Sequence, residues 1–234
     1  MMLIAGFQKT SLIDYPNKIS AVIFTCGCNM NCSYCHNRRI IRPENVSGLL
    51  NEDEVLNFLV KRRQFLDGVV ITGGEPTLQK DLVGFIEKVK QMGYCVKLDT
   101  NGTNPDVLDE LTEYRLVDYV AMDIKASLEN YSRICCSRVD TKKIQRSIGI
   151  LLKNKIEYEF RTTYVPDLTE LDLLDISRCI KGARQYVLQQ YIQVNKADGT
   201  YTGKVEKRNI ISEVISEIRE YVSMLKFRGE FSII

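Results

Sequence analysis

Gly68-Val69-Val70-Ile71-Thr72-Gly73-Gly74-Glu75-Pro76 begins as a run of β-branched residues and ends in a glycine turn. A run that is apolar at successive positions, instead of alternate ones, marks a strand covered on both faces, as in parallel sheets. Five more short runs lie on either side of it: Ile19 to Thr25 before, and Tyr94 to Asp99, Tyr119 to Asp123, Ile156 to Tyr164 and Tyr186 to Tyr191 after. Amphipathic stretches with recognisable helix starts separate them. Asn51 can cap a helix carrying Val55, Leu56, Leu59 and Val60, with Glu54 three residues on, and Asn104 precedes Pro105, the favoured first helical residue. Thr141 and Thr169 can cap Ile144 to Leu152 and Leu171 to Ile180. Six strand-helix repeats of roughly 30 residues each match the βαβ unit with right-handed crossovers. Eight would not fit in 234 residues. The predicted fold is therefore α/β, a partial, six-stranded (β/α) barrel with its core from about residue 18 to about residue 192. An N-terminal extension precedes it, and Asn209 to Phe227 reads as a final helix with Ile211, Val214, Ile215, Ile218 and Leu225 on its apolar side. From pattern alone the alternative is an open doubly wound sheet.

Composition narrows the class. The 234 residues are 44% hydrophobic and 26% charged, which suits one globular domain with a substantial core. Thirty-two basic and 30 acidic side chains leave a formal charge of +2, too little for a strong electrostatic commitment to nucleic acid or an anionic membrane. Met1 to Phe7 lacks the basic start and long apolar stretch of a signal peptide, and no window approaches the ~18 apolar residues of a membrane span. Eight cysteines in such a chain point to a reducing cytoplasm and a metal centre, because disulfide frameworks belong to small secreted domains.

Three of those cysteines stand in Cys28-Asn29-Met30-Asn31-Cys32-Ser33-Tyr34-Cys35, a C-x3-C-x2-C loop. A closed 4Fe-4S cluster takes a thiolate on each of four irons, so three thiolates leave one iron open for chemistry. The competing reading is a zinc knuckle, but zinc sites of that kind need a second ligand pair, and none follows. His36 is the sole histidine and adjoins Cys35, where it can shape the loop or a substrate edge. Cys26 sits two residues before Cys28 and reads as buried packing, as do Cys95 and Cys179, while Cys135-Cys136 is a vicinal pair in a predicted loop. These scattered thiols do not make a second, ferredoxin-like cluster.

The cysteine loop after an apolar strand, followed by Gly73-Gly74-Glu75-Pro76, resembles the radical S-adenosylmethionine (SAM) enzymes. Tyr34-Cys35-His36-Asn37, Leu98-Asp99-Thr100-Asn101-Gly102 and Met122-Asp123-Ile124-Lys125 are similar to stretches of the glycyl-radical-enzyme activases. Gly6-Phe7-Gln8-Lys9-Thr10-Ser11-Leu12-Ile13-Asp14-Tyr15-Pro16 resembles the anaerobic ribonucleoside-triphosphate reductase activating proteins, and the similarity runs from about residue 5 to about residue 192. The resemblance implies a TIM-like partial barrel and a 4Fe-4S cluster on Cys28, Cys32 and Cys35. It also implies SAM chelated at the open iron and cleaved reductively to a 5'-deoxyadenosyl radical. A flavodoxin- or ferredoxin-type electron donor and a glycyl radical enzyme as partner follow from it, and the oxygen lability of such a cluster implies anaerobic conditions.

The polar stretches all fall just past predicted strand ends, the face on which barrel-type folds build their sites. Gly73 and Gly74 would let backbone approach the methionyl amine, with Glu75 in the same turn. Asp99 can accept from that amine, and Arg161 or Lys125 can meet the carboxylate. By resemblance, Tyr34 packs on the adenine and Asn37 hydrogen-bonds SAM. Asp99, Thr100 and Asp123 offer hard oxygens, and the likeness to pyruvate formate-lyase activases implies a sodium or potassium ion there. Each residue also has an ordinary reading: a βα turn, a cap, a surface ion pair or core packing.

Three functions follow in order. The first is hydrogen abstraction from a glycine of a partner, foremost anaerobic ribonucleotide reductase, then a pyruvate formate-lyase type enzyme, through the lateral groove of an open barrel. The second keeps the chemistry for a small molecule, in the manner of the 7-carboxy-7-deazaguanine synthases, with Gln189, Gln190, Gln193 and Asn195 as pocket residues. The third is a noncatalytic iron-sulfur scaffold or electron carrier, which leaves Gly73 to Pro76, Asp99 and Lys125 without purpose.

Overall fold

The computed structural model describes residues 1–195, 200–205 and 208–234. In chain order the elements are β1 (Ile4–Ser11), β2 (Ser20–Thr25), α1 (Glu52–Arg62), β3 (Gly68–Gly73), α2 (Leu82–Gln91), β4 (Cys95–Thr100), α3 (Pro105–Glu113), β5 (Tyr119–Asp123), α4 (Tyr131–Ile134) and α5 (Thr141–Leu152). They continue with β6 (Glu157–Tyr164), α6 (Glu170–Cys179), β7 (Tyr186–Gln190), β8 (Ile192–Val194), β9 (Tyr201–Val205), β10 (Arg208–Ile210), α7 (Ser212–Tyr221), β11 (Leu225–Arg228) and β12 (Phe231–Ile233).

The sheet runs β1-β2-β3-β4-β5-β6-β7-β11. The six predicted strands are β2 to β7, parallel and in sequence order. That unbroken order rules out the doubly wound alternative, whose strand order reverses at a switch point. It is the singly wound layout of a partial barrel, with helices on one face and an interior on the other.

Both flanks depart from expectation. The N-terminal extension is an edge strand: β1 pairs antiparallel with β2. The predicted final helix starts late, because Asn209 lies in β10 and Ile211 is its extended, exposed N-cap, and it ends early, because Val222 is extended (φ −127°, ψ 144°) and Leu225-Lys226-Phe227-Arg228 pairs parallel with β7. Leu225 thus belongs to a strand. Its half-buried and exposed alternation has a period of two, which the helical reading overlooked. Helix starts agree better. Asn51 accepts from the Asp53 amide at 2.8 Å, and Thr169 forms a capping box with Asp172. For α5, however, the cap is Asp140, with Thr141 the first helical residue.

Alternation along the strands divides the core. Ala21, Ile23, Val69, Ile71, Val96, Leu98, Val120 and Met122 join the helices in one large cluster. Val22 and Val70 point the other way, where Tyr15 from the N-terminal stretch closes the base of the barrel beside Tyr119. Gly68 makes room for it: a Cβ there would lie 2.9 Å from the Tyr15 ring. Further up, the interior turns polar, with Lys97, Asp99, Asp123, Glu159 and Arg161 at inward positions. Among the described residues no helix is long and apolar enough to cross a membrane.

Candidate functional site

The loop after β2 carries the three cysteines and is fixed by its backbone. Gly27 and Cys28 donate their amides to the Ile40 and Ile41 carbonyls at 2.8 and 3.0 Å, and the Asn31 amide donates to the Cys135 carbonyl at 3.1 Å. The turn after β3 lies directly against this loop. Gly74 donates to Thr25 O at 2.9 Å and Glu75 to Gly27 O at 2.8 Å. A Cβ on Gly73 would stand 2.3 Å from Thr25 N, and one on Gly74 would stand 2.0 Å from Gly27 O. The glycines are therefore required first by this backbone contact, which joins the cysteine loop to the sheet. Asn37 strengthens the seam by donating Nδ2 to Gly73 O at 2.9 Å.

A cavity of about 260 Å³ opens between these elements. The cysteines Cys28, Cys32 and Cys35 line it together with Tyr34, Asn37, Gly73, Gly74, Glu75, Asp99, Thr100, Asp123, Lys125 and Arg161. Every site residue expected from sequence thus reaches one space. Met30, His36, Ile41, Thr72, Asn101, Thr163 and Gln189 complete the lining. Asn101 was visible in the Leu98 to Gly102 stretch without an assigned role. Its Nδ2 approaches Cys28 Sγ at 4.0 Å and Asn29 Oδ1 at 2.9 Å.

The thiols have donors suited to thiolates. The Met30 amide points to Cys28 Sγ at 3.4 Å. Burial pushes the Cys28 thiol up to about 11, whereas a hydrogen bond from Cys135 draws Cys32 down to about 6. Cys135, placed by sequence in a loop, is buried directly after α4 and packs against the cysteine loop. Cys26 is buried with its Sγ toward Ile40 O at 3.5 Å and does not line the cavity. Three thiols from one loop around a cavity of this size fit a cluster that takes each thiolate on a different iron.

Opposite the thiols lies an alternating ion-pair chain. Lys97 Nζ pairs with Asp99 Oδ1, and Arg161 Nη1 with Asp99 Oδ2 at 3.5 Å. Arg161 Nε meets Asp123 Oδ1 at 2.8 Å, and Lys125 Nζ meets Asp123 Oδ2 at 2.8 Å. Burial alone would raise both carboxyls, but Arg161 with Lys97 holds Asp99 below the usual carboxylate range, and Arg161 with Lys125 does so for Asp123. Lys125 also lies 6.0 Å from the Tyr34 ring centroid. Among the described residues the buried Tyr34 hydroxyl has no hydrogen-bond partner, a polar atom left for a ligand group to meet.

Glu75 is wholly buried, and its two oxygens accept four bonds: from Thr77 N (3.1 Å), Thr77 Oγ1 (2.6 Å), Thr100 Oγ1 (2.7 Å) and Asn101 N (2.6 Å). It ties the ends of β3 and β4 together. Thr100 gives its proton to Glu75 and accepts from the Gly102 amide at 3.1 Å. His36 Nε2 lies 3.3 Å from the Ile192 carbonyl, linking the cysteine loop to β8.

Comparison with known proteins places the chain in a family. The profile of the radical SAM superfamily matches residues 22–180. A Methanocaldococcus jannaschii protein provisionally named a glycyl-radical enzyme activating enzyme is 38% identical over 99% of both chains. The pyruvate formate-lyase 1-activating enzyme of Escherichia coli K12 is 34% identical over 52% of this chain and 51% of its own. Among solved structures, Streptococcus suis SuiB bound to S-adenosylmethionine shares the fold, with a TM-score of 0.64 at 12% identity over 89% of this chain and 49% of that one. The match over residues 22–180 and the 38% identity along the whole chain show that the chain belongs to the radical SAM superfamily, among the glycyl-radical-enzyme activating enzymes, which use a 4Fe-4S cluster and SAM.

Proposed function

We propose that this enzyme abstracts a hydrogen atom from a glycine of anaerobic ribonucleoside-triphosphate reductase. Activating enzymes of this group act on a glycyl radical enzyme; the choice of the reductase rests on the likeness of Gly6 to Pro16. The observation that carries the chemistry is the convergence of the three thiols, the Gly73-Gly74 turn and the Asp99-Arg161-Asp123-Lys125 chain on one cavity. A reduced 4Fe-4S cluster held there would supply one electron to the sulfonium of bound SAM, the chemistry that breaks its carbon–sulfur bond to leave methionine and a 5'-deoxyadenosyl radical.

The residues of the chain divide the remaining work. Cys28, Cys32 and Cys35, which line the cavity together, would hold the cluster. Arg161 and Lys125, both cavity-lining cations, receive a carboxylate, and Asp99 or Asp123 accepts from an amine. The seam between Gly74 and Gly27 fixes the distance between the cysteine loop and these groups. Preorganisation of this kind turns a bimolecular encounter into an oriented one.

The small-molecule alternative has thinner support. Of its four expected pocket residues, Gln189 lines the cavity, but Gln190 Oε1 accepts from the Glu230 amide at 2.9 Å and Gln193 and Asn195 are exposed. A pyruvate formate-lyase type partner is favoured over a small molecule by the 34% identity to that group's activase.

The test is electron paramagnetic resonance on anaerobically reconstituted, reduced enzyme mixed with SAM and the reductase from the same genome. A glycyl doublet on the reductase, accompanied by 5'-deoxyadenosine, is the expected result. A doublet appearing only on a pyruvate formate-lyase type enzyme would transfer the partner. Absence of 5'-deoxyadenosine under every condition would overturn the SAM assignment of the cavity.

A further inference from the structure

Lys97 is a lysine in the middle of β4, and its side chain is only 3% exposed. Lysines are seldom buried to this degree without a paired charge. Among the described residues its ammonium has one hydrogen-bond partner, Asp99 Oδ1. It stands two residues before Asp99 on the inward face, which makes the pairing a direct consequence of strand alternation.

The consequence concerns the oxygen set for which a sodium or potassium ion was expected. All four carboxylate oxygens of Asp99 and Asp123 face cationic groups of the chain itself: Lys97, Arg161 twice and Lys125. Thr100 Oγ1 is committed to Glu75 and the Gly102 amide. The donor set does not fit an added monovalent ion. The three cations differ in one respect. Arg161 and Lys125 line the cavity and can turn to an incoming carboxylate, whereas Lys97 lies beneath it and does not line it. When a ligand draws Arg161 away, Lys97 still neutralises Asp99. An external cation would otherwise have that task.

We propose that Lys97 is a positioning residue that serves as a built-in counter-cation, so this enzyme binds SAM without a monovalent metal ion. The proposal rests on the SAM reading of the cavity and gives Lys97 the role that the resemblance to pyruvate formate-lyase activases implies for sodium or potassium.

The experiment measures SAM affinity and SAM cleavage by the cluster-loaded enzyme in tetramethylammonium buffer, with and without sodium or potassium. Wild type is expected to bind SAM equally well throughout, within about twofold. Lys97→Met keeps the length of the side chain and removes its charge; in tetramethylammonium its SAM affinity should fall about tenfold or more and return on adding potassium or sodium. A purely structural role for Lys97 predicts loss without such rescue and overturns the proposal. So does wild type whose SAM affinity rises severalfold with potassium. Should Lys97→Met fail to fold, thallium-205 resonance on wild type decides: line broadening specific to the protein refutes the proposal, and its absence supports it. If SAM neither binds nor is cleaved in any buffer, the SAM reading itself fails, a result distinct from all of these.

Discussion

Gly74 and Gly27 meet backbone to backbone: a Cβ on Gly74 would stand 2.0 Å from the Gly27 carbonyl oxygen. The atom in the way is main chain, so no side-chain rotation relieves the clash. Gly74→Ala should therefore displace the cysteine loop while leaving the remote helices and core intact. The expected outcome is loss of most cluster iron after anaerobic reconstitution, with far-ultraviolet circular dichroism close to wild type. Iron content per folded chain is the deciding measurement, and a full iron complement in Gly74→Ala would show that the loop position tolerates the shift.

The cysteines separate cleanly by location. Cys28, Cys32 and Cys35 line the cavity, whereas Cys26 turns its sulfur to the Ile40 carbonyl. Replacing any one of the three by alanine should abolish SAM cleavage, and Cys26→Ala should retain it within a fewfold. Assaying 5'-deoxyadenosine for the four variants checks this. Retained cleavage in Cys32→Ala would overturn the ligand assignment.

The parts of this molecule legible in sequence were those whose signal is local. Gly68 to Gly73 and Tyr119 to Asp123 read as strands because burial on both faces leaves an apolar run, and the face that carries the cavity followed because polar stretches sit at strand ends. Leu225 was misassigned because a four-residue edge strand directly after an amphipathic helix continues its apolar pattern, and the break at Val222 is a backbone event. The N-terminal stretch hid an edge strand for a related reason, since only its pairing with β2 defines it. The pairing of Lys97 and the contact of Cys135 with the cysteine loop are not legible in sequence because both are tertiary. One depends on an interior that only the curled sheet creates, the other on a contact between residues more than a hundred positions apart.

Glu75 illustrates a motif residue whose partners are internal. Its four donors come from the turn after β3 and from the end of β4, so the carboxylate fastens two strand ends beneath the cavity. Glu75→Gln replaces an acceptor oxygen by an amide donor facing other donors. Leaving such buried groups unpaired costs about 1–3 kcal/mol. The urea midpoint should fall accordingly, and SAM affinity should drop as Thr100 and Asn101 shift. An unchanged midpoint would mean that the four bonds contribute little to the folded state.

Asp172 provides a pH test away from the cavity. It is buried at the start of α6, where it accepts from Ser127, from Asn130 at 2.8 Å, and from the Thr169 amide and hydroxyl at 3.0 and 2.9 Å. Burial would raise its carboxyl, but these donors favour the charged form and hold it below the ordinary range. A carboxyl lowered on folding contributes stability above its unfolded value of about 3.9, and that stability is lost as pH falls through the folded value. Asp172→Asn should therefore cost about 1–2 kcal/mol at pH 7 through the weakened cap and network. The gap between variant and wild type should narrow progressively below about pH 4. Urea titrations of both proteins at pH 7, 5 and 3.5 measure it, with other carboxylates cancelling in the difference. A gap that stays constant down to pH 3.5 would show that Asp172 stabilises the helix start through packing and not through its charge.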